Sequence, residues 1–372
     1  MLPIYVNFSE YKVFYGGKMK RRNEISFFAI FLCFSVIFIH SASELISAGI
    51  GAASIYLPVM LIQRLVSFAV PGFVFLSGLR FMLTTKEKGK DFSAGRYILH
   101  RLYRIMPLYI IWTLIYFFFR IYSGVYSFSV IRLLRGFLSG DTEAHLYFVP
   151  LILQFCLIAP LSKKIHENIP ACVSMVLSML ITFIFGKNLS VLIEALFPGT
   201  PGFAYDDRVF TLYLVYWTAG CCVGNAYEKF RLFLMRFRLC VSCIFAFCFG
   251  LEIFAAYYTS VLKRYLPCFY EIHMLYSLAA SMFFFMVAML LSSEEKPLHA
   301  YLQRLDARTY FIYLSHVFPL LLLEFFVFSR HPFGLAEKMA LRLAAVSAYT
   351  AVTALIPTIR LKRRAGTQKE KG

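Results

Sequence analysis

A histidine and a carboxylate one helical turn apart, His40 and Glu44, close an apolar run that reads ISFFAIFLCFSVIFIHSASE over residues 25–44. A helix entering lipid at Ile25 and rising ~1.5 Å per residue carries His40 to roughly 22 Å depth, in the far third of a ~30 Å hydrocarbon layer. Ionisable groups at that depth are costly and usually face a polar cavity. A base and a carboxylate on one helix face suit proton transfer; the plainer alternative is a hydrogen bond from His40 to a neighbouring helix. Arg101 and Arg104, in HRLYRIMPLYIIW, are spaced i, i+3. On a helix they hold two planar guanidinium forks on one face, a geometry suited to a diphosphate or phosphate ester, although Lys and Arg also anchor spans without binding anything. His145 opens HLYFVPLILQFCLIAPL, with Tyr147 two residues on, and His316 lies within YFIYLSHVFP. No Cys, Asp or second His stands at a metal-ligand spacing from His40, so no metal site is expected.

These residues must be positioned by membrane helices. The chain is 60% hydrophobic and 18% aromatic, with 41 Phe and a mean hydropathy of +0.68. That composition excludes a soluble domain and implies an all-α polytopic membrane protein. Apolar segments fall at residues 25–44, 59–83, 105–122, 146–161, 169–186, 209–226, 240–262, 271–291, 310–328 and 340–359, which predicts about ten transmembrane helices. With the N-terminus in the cytoplasm, inner segments hold more than twice as many Lys and Arg as outer loops. The positive-inside rule then puts both termini in the cytoplasm and His40 toward the outside. The same charge pattern argues against cleavage of the first span as a signal peptide. The formal charge of +18 is spread over short loops and needs no nucleic acid as partner; the lipid bilayer suffices.

The chain organises as one membrane domain, residues 19–359. Residues 1–18 precede MKRRNEIS, in which Met19 is an alternative start, so they read as a dispensable extension. Residues 360–372 form a basic cytoplasmic tail suited to anionic headgroups. Eight of the nine cysteines fall in or beside apolar segments, which suggests packing instead of a disulfide framework. The second segment contains VPGFVFLSGLRFML, whose Pro71, Gly72, Ser77 and Gly78 permit close helix approach, while Arg80 near its inner end can snorkel. Arg64, His145, Glu252, His273 and Glu324 fall on the outer side, where such groups face a polar interior or one another.

Taken in order, the first-span His40, VPGFVFLSG, the Arg101-Leu-Tyr-Arg104 pair before IMPLY, the HLYF start of the fourth span and IYLSH resemble the acyltransferase-3 family. These are bacterial integral membrane O-acyltransferases that modify cell-surface polysaccharides and related acceptors. The resemblance covers essentially the chain from Met19 onward. It implies a multi-pass protein of the bacterial cytoplasmic membrane with no tightly bound cofactor. Its donor substrate would be acyl-CoA, commonly acetyl-CoA, from the cytoplasm, and its acceptor a hydroxyl of an outer glycan or lipid-linked molecule. It makes His40 catalytic and assigns Arg101 and Arg104 to the acyl-CoA site, with Arg80 as a further candidate there; His145, Tyr147 and His316 become candidate acceptor contacts. Two positions depart from the family pattern: Ala29 stands where a cation is common eleven residues before the histidine, and Tyr147 where Trp is common. Arg80 and Arg64 are candidate replacements for that cation. With no fused soluble domain in the sequence, transfer finishes in the membrane or a separate extracytoplasmic partner takes the group onward. Chemically, His40 would act as general base with Glu44 orienting its imidazole. The competing class is a transporter or flippase for a polysaccharide or lipid-linked precursor, against which the sequence offers no duplicated half and no paired broken helices.

Overall fold

A computed structural model describes residues 22–355, apart from residues 50, 52–53, 187, 199–204, 293–301 and 303. The extension at 1–18 and the tail at 360–372 lie outside the described residues. The helices are α1 (Asn23–Ala48), α2 (Tyr56–Val66), α3 (Ala69–Lys88), α4 (Ala94–Tyr122), α5 (Val130–Ser139), α6 (Phe148–Asn168), α7 (Ala171–Ile181), α8 (Leu189–Leu196), α9 (Leu214–Asn225), α10 (Tyr227–Arg236), α11 (Arg238–Ala256), α12 (Phe269–Leu291), α13 (Thr309–Ser315), α14 (Val317–Leu323) and α15 (Leu335–Leu355). The fold is all-helical among the described residues.

Among the described residues, seven helical stretches are long and apolar enough to cross a membrane: Asn23–Ala48, Tyr56–Asp91, Ala94–Tyr122, Phe148–Asn168, Arg238–Val261, Phe269–Leu291 and Thr309–Phe328. An eighth is added if the pair Ala171–Phe185 and Leu189–Leu196, bent by 62°, is one span. The remaining two of the ten expected segments differ for identifiable reasons. Residues 209–226 form a 3-10 turn, Phe210–Tyr213, followed by the twelve-residue α9, too short to span alone. The last segment starts earlier than expected, at Leu335, and α15 therefore takes in Glu337, Lys338 and Arg342.

Proline sets two breaks. Expected as one continuous span, residues 59–83 instead divide at Ser67–Phe68, and Pro71 is the third residue of α3. Pro319 is likewise the third residue of α14, just past a break at His316. Proline is tolerated in a first helical turn but cannot donate to the carbonyl four residues back, so each ring suits the start of a second helix better than the middle of one.

Packing is closest between α3 and α9. A Cβ on Gly220 would lie 2.0 Å from the Phe75 carbonyl oxygen, one on Gly78 2.4 Å from that of Trp217, and one on Gly224 2.7 Å from that of Leu79. Small residues let backbones touch where lipid offers no hydrophobic drive for helix association. Around this pair Phe28, Phe75, Phe155, Trp217 and Phe285 fill the main core, and Trp217 stacks on Phe155 at 4.9 Å. A second cluster joins α4, α6 and α13 through Tyr109, Trp112, Tyr116 and Tyr313, against which the candidate site is built.

Candidate active site

Three imidazoles from three distant parts of the chain meet. The ring centroids of His40 and His316 are 5.1 Å apart, those of His145 and His316 4.9 Å, and those of His40 and His145 5.9 Å. His40 comes from the last third of α1, His145 from the turn before α6, and His316 from the break between α13 and α14. His145 and His316 are buried and His40 is partly so.

The helix break supplies the carbonyls that hold the rings. His316 Nδ1 lies 2.7 Å from the Tyr313 oxygen, and His145 Nε2 lies 3.1 Å from that of Leu314. A carbonyl oxygen only accepts, so both ring nitrogens are N–H donors. In the neutral rings the opposite nitrogens, His316 Nε2 and His145 Nδ1, then carry lone pairs; both are buried without a hydrogen-bond partner. Burial pushes the His145 pKa well below the ordinary imidazole range, and the neighbouring His316 and His40 push it the same way. Among the described residues no group of His, Cys, Asp or Glu is arranged to hold a metal ion.

Around the rings the scaffold is tied by hydroxyls and one ion pair. Tyr116 donates to the Leu314 oxygen at 2.9 Å, and Tyr313 donates to the His145 carbonyl. Arg120, near the end of α4, grips Glu143 through two bonds of 2.5 and 2.9 Å, fixing the turn two residues before His145. Gly140, at φ +71°, ends α5 where a Cβ would lie 2.7 Å from the Leu146 and Tyr147 backbone. That turn requires both the left-handed conformation and the missing side chain. An open groove of about 500 Å³ between α5 and α6, lined by Arg135, Gln154, Tyr205 and Arg208 among others, includes none of the three histidines in its lining.

Glu44 is turned to other partners than His40. Its carboxylate accepts from Lys338 at 2.9 Å and pairs with Arg342 at 2.6 Å, and Arg342 also reaches Glu324 at 2.6 Å. Two cations on α15 compete for the carboxylate that was expected to orient the imidazole, and cations win over a neutral ring. Arg80 donates to Asp306 at 3.1 Å, while Ser26 holds the other Asp306 oxygen at 2.7 Å, closing a polar link among α1, α3 and the segment before α13. Arg101 donates to the Tyr97 hydroxyl at 3.3 Å and lies over that ring; Arg104 is half-buried one turn on. From Arg104 to Tyr116, whose ring is 5.3 Å from His145, α4 rises twelve residues or ~18 Å. Tyr147 faces the Arg208 guanidinium at 5.9 Å. Glu252, fully buried, accepts from His273 at 3.1 Å with Arg64 at 3.8 Å, so these groups, expected on the outer side, pair with each other.

Asp306, Tyr116, Tyr313 and the Arg120–Glu143 pair escaped sequence reading. For the α3–α9 contact the Gly220-x-x-x-Gly224 spacing was a legible signal beside the small residues of VPGFVFLSG. For the tyrosines none existed in a chain with 24 Tyr and 41 Phe.

A bundle of apolar helices that brings buried imidazoles together, with arginines about three helical turns or more away on α4, defines a multi-pass membrane protein with a polar intramembrane site. The chain belongs to the acyltransferase-3 family, whose acyltransferase domain matches residues 24–359, nearly its whole length. No curated protein and no solved structure matches it.

Proposed function

We propose that the protein is an O-acyltransferase that moves an acyl group, acetyl in the simplest case, from cytoplasmic acyl-CoA to a hydroxyl of a glycan or lipid-linked acceptor. The acceptor is on the outer side of a bacterial cytoplasmic membrane. The convergence of His145 and His316 on His40 carries this reading, because it surrounds one candidate base with fixed, uncharged neighbours inside a bundle of an acyltransferase family.

In this reading Arg101 and Arg104 hold the phosphates of CoA, with Arg80 at the same end of the bundle, and the pantetheine arm covers the distance along α4 to the imidazoles. His40 takes the proton of the acceptor hydroxyl as its oxygen bonds to the thioester carbonyl carbon. The tetrahedral intermediate collapses by breaking the C–S bond, and the imidazolium returns the proton to the departing sulfur. Acyl ester and free CoA result, with His40 restored. His145 and Tyr147 lie on the acceptor side. The Glu44 carboxylate, held by Lys338 and Arg342, braces α1 against α15 and takes no proton.

Permeabilised membranes that open both faces, supplied with labelled acetyl-CoA and a cell-envelope extract, test this reading. Label should enter base-labile esters with wild-type protein and not with His40→Ala. Equal labelling by both would remove His40 from the chemistry.

A further inference from the structure

We propose that His316 is the positioning residue for His40: its Nε2 lone pair accepts a hydrogen bond from the His40 imidazole N–H and thereby aims the other His40 nitrogen at the acceptor hydroxyl. The proposal deepens, and rests on, the reading of His40 as general base.

Hydrogen-bond inventory leads to it. His316 gives its Nδ1 proton to the Tyr313 carbonyl at 2.7 Å, so in the neutral ring Nε2 can only accept. His145 gives its Nε2 proton to the Leu314 carbonyl at 3.1 Å, so its Nδ1 can only accept as well. Two acceptors cannot bond each other, although their rings are 4.9 Å apart. His316 is fully buried and its Nε2 has no partner. The imidazole that can supply a proton is His40, whose ring is 5.1 Å from His316, near enough for facing ring nitrogens to bond after a small rotation. His145, at 5.9 Å from His40, keeps its own lone pair for a second donor.

Glu44 cannot take this role while Lys338 and Arg342 hold it. A neutral acceptor does what the carboxylate was expected to do, fixing the tautomer and orientation of the base. During transfer His40 gains the hydroxyl proton on its free nitrogen and later gives it to the sulfur. His316 accepts the same hydrogen bond throughout and neither gains nor loses a proton.

Two isosteric substitutions separate this role from a structural one. In His316→Gln the side-chain amide reaches the place of Nε2, whereas in His316→Asn it reaches only the place of Nδ1 and can still donate to Tyr313. In permeabilised membranes, after matching of unfolding midpoints, His316→Gln should keep kcat within about tenfold of wild type, and His316→Asn should lose about a hundredfold with both KM values unchanged. The opposite ranking would assign His316 to holding the helix break, and a rise in acceptor KM with kcat intact would assign it to the acceptor; either overturns the proposal, as does wild-type kcat in both. Nitrogen-15 NMR of ring-labelled histidine in the wild-type protein gives a reading that needs neither variant. The His316 Nε2 resonance should be that of a bonded acceptor and should move to the free position in His40→Ala; an unmoved resonance overturns the proposal. Failure of the underlying reading looks different: His40→Ala then retains wild-type acyl transfer, and the proposal falls with it.

Discussion

At the scale of single residues, His40 is set apart from Glu44 by what each touches. His40 packs against two imidazoles whose N–H groups are already given to backbone carbonyls, while Glu44 sits between Lys338 and Arg342. Removing a general base costs about 10²–10⁴-fold in rate, so His40→Ala should lower kcat in that range without changing the unfolding midpoint by more than a few degrees. Glu44→Gln should leave kcat within about threefold and weaken the α1–α15 contact by about 1 kcal/mol, as expected for a partly exposed ion pair. A His40-like loss of kcat in Glu44→Gln would return the carboxylate to the chemistry. Each of His40, His145 and His316 was visible as a histidine in or beside an apolar segment, and the i, i+4 spacing made Glu44 an attractive partner. Their meeting was not visible. Counting residues from the membrane surface placed His40 in the far third of the layer, but counting has no means of knowing that α13 stops at Ser315 and brings His316 to it. Nor does a helical spacing say that Lys338, nearly three hundred residues on, claims the carboxylate.

At the scale of elements, the site depends on helix pairs that approach unusually closely and on one buried ion pair. Gly220→Ala places a methyl against the Phe75 carbonyl and should cost upward of about 3 kcal/mol, the severe end of overpacking, read as a lower unfolding midpoint in detergent. Gly250→Ala, whose added methyl meets nothing within 4 Å, is the control and should be neutral or slightly stabilising. Glu143→Ala leaves Arg120 without its carboxylate; loss of one partner of a buried pair costs about 3–5 kcal/mol, and the half-buried arginine puts the expectation at the low end. Because Glu143 precedes His145 by two residues, kcat should fall along with stability, whereas a stability loss with unchanged kcat would separate the turn from the reaction. The small residues of VPGFVFLSG signalled close packing of the second segment, and α3 bears that out at Gly78. The partner, α9, carries a matching small-residue spacing at Gly220 and Gly224, but spacing within one helix does not name the helix that faces it. The span expected over residues 59–83 lies within Tyr56–Asp91, and the turn at Ser67–Phe68 inside it was not legible because Pro71 suits a first turn as well as a kink, and sequence leaves both open.

At the scale of the whole molecule, composition alone dictated an all-helical membrane protein, and family membership adds acyl transfer. Both ends in the cytoplasm is the orientation we propose. A fluorescent reporter on the C-terminus should then fold and fluoresce, and one that stays dark while an alkaline phosphatase fusion is active would invert the arrangement. Arg101 and Arg104 sit about 18 Å or more along α4 from the level of the imidazoles, so donor binding and chemistry should separate kinetically. Arg101→Gln combined with Arg104→Gln should raise KM for acyl-CoA about tenfold or more while leaving kcat nearly unchanged, since each charge-assisted hydrogen bond contributes about 1.5–3 kcal/mol to binding. The most direct test of the central claim is the O-acetyl content of purified cell-surface glycans from cells carrying wild type, His40→Ala or no protein, with membrane insertion verified. Acetyl esters present with wild type and lost in both other strains are the predicted result, and the glycan that carries them names the acceptor. Identical ester content in all three strains would contradict acetyl transfer to these glycans by this protein.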